Sequence, residues 1–169
     1  LNRFDSSQSF ESYLEKSYCK TASLIANSSK AIGVLSDVDP ESLNSLYFFG
    51  RQLGLAFQVV DDILDFTGND EQLGKPAASD LQSGYLTAPV FYALDENPTL
   101  GDLISGKFNK KDDLDKALSL VRDSSAISKS RELAEKFASE SKDSISWLPD
   151  SPSKKALLEL PEFVISRLY

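Results

Sequence analysis

The sequence predicts an all-α fold, and three observations predict it. Apolar residues recur three and four apart, the helical spacing, through most of the 169 residues. Prolines and capping residues stand where helices start or stop, as in Asp39-Pro40-Glu41 and Asn97-Pro98. No apolar–polar alternation of useful strand length occurs, and there is no internal repeat, coiled-coil seam or low-complexity linker. At this length and with 41% hydrophobic residues, the chain suits one domain or a piece of a larger one.

Residues 1–9 are polar, and helical spacing begins with Phe10, Tyr13, Leu14 and Ser17. It reappears as Leu24, Ile25, Ser28 and Ile32, which predicts a helix pair or one bent helix. At the join, Lys20 and Thr21 put a cation and a hydroxyl beside an otherwise apolar face. That pair can hold a phosphate by charge and hydrogen bond, although a Lys at a helix end is more often simply solvated.

Asp39 as N-cap, Pro40 at the first helical position and Glu41 in the first turn start the next helix. Its pattern runs to Phe66, long for a globular protein, and Gly50 and Gly54 inside it cost about 1 kcal/mol each relative to Ala. Glycines on its buried stripe point to the close approach of another helix or of a ligand, or equally to simple packing. Gly50, Leu53, Gly54, Phe57 and Asp61 follow at helical spacing, so the acids at the helix end are expected to continue the buried stripe.

Those acids are Asp61, Asp62 and Asp65. Asp61 and Asp65 stack on one face with Asp62 turned aside by one residue, like charges repel there, and no Lys or Arg lies within a turn. A hard divalent cation such as magnesium would relieve the repulsion. The bland alternative is a solvated acidic face near a helix end; the apolar flanks and the distinctive downstream loop favour the cation.

Gly68 is expected to cap that helix, with Asn69 to Gln72 as loop. In Leu73 to Pro89, Gly74 and Pro76 fix a turn that holds Lys75 within reach of the acidic helix end. Lys75 is then either a plain salt-bridge partner or a cation that helps clamp a diphosphate. Thr87 is expected to cap a helix through Val90, Phe91 and Leu94 that Asn97-Pro98 ends. Asp112 to Val121 reads as a helix with a charged start, and Ile127 to Leu148 as an amphipathic helix ended by Pro149 and Pro152. Ser153 opens a closing segment divided by Pro161.

Composition excludes several functions. A formal net charge of -8 disfavours nucleic acid as a partner, because phosphate contacts need a basic surface. With no His there is no imidazole base, no His-built zinc site and no Ser-His-Asp triad. Cys19, the only cysteine, excludes an intrachain disulfide and is expected to pack as a small apolar residue. No apolar run approaches the roughly 20 residues of a membrane span, so the chain reads as soluble. It begins at Leu1 and contains no Met, which predicts that something upstream was removed or not seen.

Lys20-Thr21-Ala22, Gly54 to Asp65, Gly74-Lys75-Pro76, Asp80-Leu81 and Thr87-Ala88-Pro89 together resemble the trans-isoprenyl diphosphate synthases in order, spacing and identity. Gln58-Val59-Val60-Asp61-Asp62-Ile63-Leu64-Asp65 is similar to the second aspartate-rich motif of that family. Thr87-Ala88-Pro89 and the closing Ser166-Arg167-Leu168-Tyr169 look most like the long-chain solanesyl and polyprenyl type of plastids and cyanobacteria.

The resemblance implies an all-helical isoprenoid synthase fold and a magnesium-dependent transferase that joins isopentenyl diphosphate to an allylic diphosphate. It implies Asp61 as direct metal ligand, with Asp62 and Asp65 binding directly or through water. Lys20 and Lys75 would contact the allylic diphosphate, and Thr21 and Gln58 would support it near the reacting carbon. Where the family often has a further Lys, this chain has Tyr85. Only one aspartate-rich motif is present. Residues 1–169 therefore look like the C-terminal portion of a single polyprenyl synthetase domain whose N-terminal half is absent. Such a chain would be inactive alone, would leave apolar surface uncovered, and would form a homodimer or pair with the missing half. The alternative is a non-catalytic helical partner subunit or binding fragment. A plant source would point to the plastid, another source to cytoplasm or mitochondrion.

Overall fold

The computed structural model describes residues 3–68 and 78–169, and every regular element in them is helical. In chain order these are α1 (Phe10–Ser17), a π-helical turn (Tyr18–Ala22), α2 (Ser23–Leu35), α3 (Pro40–Thr67) and α4 (Ser79–Gln82). There follow α5 (Ala88–Glu96), α6 (Pro98–Ser105), α7 (Asp113–Arg122), α8 (Ala126–Ser144) and α9 (Pro152–Ser166). Among the described residues no helix is long and apolar enough to cross a membrane. The chain divides into two compact units, Leu1–Tyr13 with Asp61–Glu132 and Leu14–Val60 with Leu133–Tyr169.

In the first unit, Leu81, Leu86, Val90, Leu100, Ile104 and Val121 are buried. The rings of Phe10, Tyr13 and Phe91 pack on one another, with centroids 5.4 to 5.9 Å apart. Gly84 turns the chain after α4 with φ 79°, and the Phe4 amide donates to its carbonyl at 2.9 Å. Thr87 sits at the N-cap position of α5 in an extended conformation, but its hydroxyl makes no cap bond and is buried without a partner among the described residues. The expected cap is therefore positional only: the Thr87 carbonyl accepts from Val90 and Phe91. Asn97-Pro98 stops α5 as expected and also starts α6, because proline cannot continue one helix yet is preorganised to open the next. In α7 the Asp113 carboxylate accepts from the Lys110 amide, a charged helix start as read.

In the second unit, Asp39 starts α3 as predicted. Its Oδ1 accepts from the amides of Glu41 and Ser42 at 2.9 and 3.0 Å, and the bonds from Ser42 hold its pKa below the usual range. The two glycines of α3 meet helix backbone. A Cβ on Gly50 would stand 2.6 Å from the Ile25 carbonyl oxygen, and one on Gly54 would stand 2.4 Å from Ala22 Cα. Another helix therefore accounts for both.

Three expectations are corrected. α8 ends at Ser144 and not at Leu148, because the chain tightens there into i→i−3 bonds such as Ile145 N to Lys142 O. The closing segment is one helix, capped by the Ser151 hydroxyl and running through a buried Pro161. Pro161 removes one backbone bond, which burial of its ring on the packed side offsets. Cys19 is exposed in the π turn, with Sγ 3.6 Å from Glu15 Oε1; desolvation and that carboxylate raise its pKa. Apolar surface is uncovered as expected, with Leu24 75% and Leu35 87% exposed on α2.

Candidate functional site

Within the second unit, the π turn and α3 bring the first candidate residues together. Because Gly54 has no side chain, α3 lies directly against Ala22, and one helical turn later Gln58 faces Thr21. Thr21 Oγ1 donates to Gln58 Oε1 at 2.7 Å, and Gln58 is buried. With its oxygen held, the Gln58 amide has a fixed orientation. Lys20, one residue earlier, is exposed. An inserted π turn inside an α-helix re-aims its side chains, and such turns are frequent at functional sites. The sequence reading saw a bend here without seeing its form.

Within the first unit, the end of α3 carries the acids. Asp61 is half-buried, while Asp62 and Asp65 are 2% and 1% exposed. The predicted stripe needs correction. Phe57 is 36% exposed, and Asp62, taken to be turned aside, is buried together with Asp65, while Asp61 is only half-buried. The reason is that α3 from Gln52 to Phe66 is enclosed on nearly every side, so periodicity could not single out its buried face. Phe57, Asp61 and Leu64, spaced four and three apart, form the less buried stripe.

Protein groups hold both buried acids. Tyr13 Oη donates to Asp62 Oδ2 at 2.7 Å. Asp65 accepts from Ser79 Oγ and from the Asp80 amide, each at 3.2 Å, while its carbonyl accepts from the Ala78 amide at 2.6 Å. Asp65 thus pins the start of α4, where Ala78 adopts φ 56°. Buried carboxylates require such donors. The sequence reading missed Tyr13, whose ring fits the apolar stripe of α1 and gives no separate sign of its hydroxyl's partner.

Lys75, with Gly74 and Pro76, lies outside the described residues. Tyr85 is met by a cation from elsewhere in the first unit. Arg3 Nη2 donates to Tyr85 Oη at 2.6 Å, and its guanidinium carbon stands 4.8 Å from the ring centroid.

The donor set fits a magnesium ion as a partial shell. Among the described residues no three His, Cys, Asp or Glu side chains are grouped to hold a metal ion. Magnesium at phosphate sites takes one or two carboxylates, with water and phosphate oxygens filling the rest. The half-buried Asp61 at the helix end, with Asp62 and Asp65 held beside it in sequence, can supply that share.

Comparison with known proteins agrees with the helical architecture. The family model described as polyprenyl synthetase matches residues 1–121. The chain is 52% identical over 169 residues to a "Prenyl transferase" of Synechocystis sp., covering all of this chain and 52% of that protein. It is 43% identical over 165 residues to solanesyl diphosphate synthase 2, chloroplastic, of Arabidopsis thaliana, covering 98% of this chain and 40% of that one. Among solved structures, it is similar to a polyprenyl synthase from Caulobacter crescentus complexed with calcium and isoprenyl diphosphate. There the TM-score is 0.87 at 33% identity, over 98% of this chain and 52% of that one. The chain spans about half the length of the curated relatives it matches. Matched by the family model over most of its length and set in an all-helical frame, the chain belongs to the polyprenyl synthetase family.

Proposed function

We propose that this chain is the metal- and diphosphate-binding portion of a long-chain trans-polyprenyl diphosphate synthase, which joins an allylic diphosphate to isopentenyl diphosphate. The observation that carries the reading is the state of Asp61, Asp62 and Asp65: two carboxylates are buried and held by protein donors, and the third is less enclosed at the same helix end. A merely solvated acidic face would have left all three in water. The Caulobacter crescentus protein, with calcium and isoprenyl diphosphate, supports a cation and a diphosphate in this family.

In this reading Asp61 ligates the metal directly, and Asp62 and Asp65, held by protein donors, join it directly or through water. Magnesium, when bound, supplies positive charge to the leaving diphosphate. Lys20 and Lys75 add positive charge for its oxygens as the allylic carbon–oxygen bond ionises. Thr21 orients Gln58, whose amide supports the substrate near the reacting carbon. The double bond of isopentenyl diphosphate attacks that carbon, and loss of a proton leaves a trans chain one isoprene unit longer. The activity belongs to the protein completed by the other half of the family domain, and the chain alone is inactive. Pairing as a homodimer is the family's habit and forms part of the proposal. The relatives named include a chloroplast protein and a cyanobacterial one, which favours the plastid for a plant source.

The test is turnover of radiolabelled isopentenyl diphosphate with farnesyl diphosphate and magnesium by the full-length protein. Products of increasing length support the reading, and their loss in Asp61→Asn supports the role of Asp61. The alternative reading is a non-catalytic helical partner subunit. A full-length protein that never turns over, yet raises the activity of a second synthase chain, would establish that alternative.

A further inference from the structure

The proposed metal site leaves Tyr13 without a stated role. Tyr13 lies on α1, outside every motif the sequence singled out, and 49 residues from the carboxylate it meets. Its hydroxyl donates to Asp62 Oδ2 at 2.7 Å, and both side chains are almost wholly buried, at 4% and 2% exposure. Its ring is fixed on two sides, by Phe10 at 5.4 Å and by Phe91 at 5.9 Å between centroids. A phenol ring locked in that way holds its oxygen at one place beside Asp62. A buried carboxylate that accepts its hydrogen has one oxygen oriented, and the backbone of α3 beside it is held against rotation.

We propose that Tyr13 is a positioning residue for the aspartate-rich helix end, acting through Asp62 to fix the direction in which the adjacent Asp61 carboxylate is presented. This rests on the reading of that helix end as a metal–diphosphate site. The physical case is the outer-shell rule for metal centres: groups that hydrogen-bond ligating or neighbouring carboxylates set their orientation, and their loss weakens metal binding while leaving the ligands in place. Asp65 is held from the other side in sequence, by Ser79 and Asp80. Tyr13 and the α4 start therefore restrain two residues, Asp62 and Asp65, in the helical turn that follows Asp61.

Tyr13→Phe keeps the ring and removes only the hydroxyl. Manganese binding to the full-length protein, followed by electron paramagnetic resonance with inorganic pyrophosphate present, reads the site without turnover. The wild type is expected to show a manganese site that Asp61→Asn abolishes, and Tyr13→Phe to weaken that site by about tenfold. Asp62→Asn is expected to weaken it too, and the double variant Tyr13→Phe/Asp62→Asn to bind no more weakly than Asp62→Asn alone.

Val121→Ala opens the buried core of the same unit but keeps the hydroxyl and the rings around it. It is expected to lower the melting temperature while leaving manganese affinity unchanged. Equal binding by wild type and Asp61→Asn overturns the metal reading itself. A site lost in Asp61→Asn but unchanged in Tyr13→Phe leaves that reading standing and overturns the role of Tyr13. Weakening by Val121→Ala as large as that by Tyr13→Phe assigns the effect to lost core stability and overturns it as well.

Discussion

Gly54 of α3 and Ala22 of the π turn are in backbone contact: a Cβ built on Gly54 would stand 2.4 Å from Ala22 Cα and 2.7 Å from its Cβ. Neither atom can move aside as the end of a flexible side chain could. The contact sets the approach of α3 to the turn that carries Lys20 and Thr21.

Gly54→Ala is accordingly expected to destabilise the protein by about 3 kcal/mol, the upper range for overpacking a close contact. Gly101 is the control. A Cβ there would meet Leu94 Cδ2 at 3.6 Å and Ser6 at 3.8 Å, ordinary contacts in the interior of α6. Gly101→Ala is expected to stabilise by about 0.5–1 kcal/mol through helix propensity. Urea unfolding of the two variants checks the pair, and equal shifts would refute the contact argument.

Thr21→Val removes the donor that holds Gln58 Oε1 at 2.7 Å while keeping the shape of the side chain. About a tenfold loss of kcat is expected in the full-length enzyme, the effect of one misoriented hydrogen-bonding group, roughly 1.4 kcal/mol. Thr21→Ser should restore most of it. Steady-state kinetics on both variants decide, and a silent Thr21→Val would remove Thr21 from the site.

The acids at the end of α3 should separate by phenotype. Asp65→Ala strands the Asp80 amide and the Ser79 hydroxyl, so a loss of about 2 kcal/mol in stability is expected. Asp61→Asn removes charge from a half-buried position and relieves repulsion with Asp65. Its melting temperature is expected to hold or rise while turnover is lost. Thermal unfolding of each variant beside the activity assay tests the division; a large fall in stability for Asp61→Asn would contradict it.

Glu96 reports on acid stability. Its Oε1 accepts from Lys129 Nζ at 2.8 Å and from the Ser125 hydroxyl, and its Oε2 from the Ser125 amide at 3.1 Å. The Lys129 bond first, and the Ser125 bonds next, lower its pKa from 4.5 to about 2. A carboxylate whose pKa falls on folding contributes stability that is fully present above 4.5 and is lost as pH drops through about 2. Glu96→Gln is expected to flatten the stability–pH curve across that window and to leave its slope near neutrality unchanged. Unfolding midpoints measured across that window check it.

Much of the architecture was legible because the signals were local. Asp39-Pro40 starts a helix by capping chemistry that needs no partner from elsewhere, and Asn97-Pro98 stops one by proline sterics. The helix that opens at Pro98 was not read, because the same proline served only as a stop. The candidate site was legible as residue types in order: Lys20-Thr21, Gln58, Asp61-Asp62-Ile63-Leu64-Asp65 and Lys75 carry the family resemblance without any coordinates.

By itself the sequence determined the helical class, the capping of α3 by Asp39, the need for small residues at 50 and 54, and the acids at the helix end. Each follows from covalent spacing and from the preferences of single residues. Only the tertiary structure decided that a helix backbone, and not a ligand, lies against Gly50 and Gly54, that Asp62 is buried with Asp65 instead of being turned aside, and that Tyr13 and Ser79 hold the motif. The physical reason is burial on nearly all sides. Once α3 is enclosed, periodicity no longer distinguishes its faces, and the choice of buried carboxylates passes to donors that stand 49 residues before Asp62 and 14 residues after Asp65 in the chain.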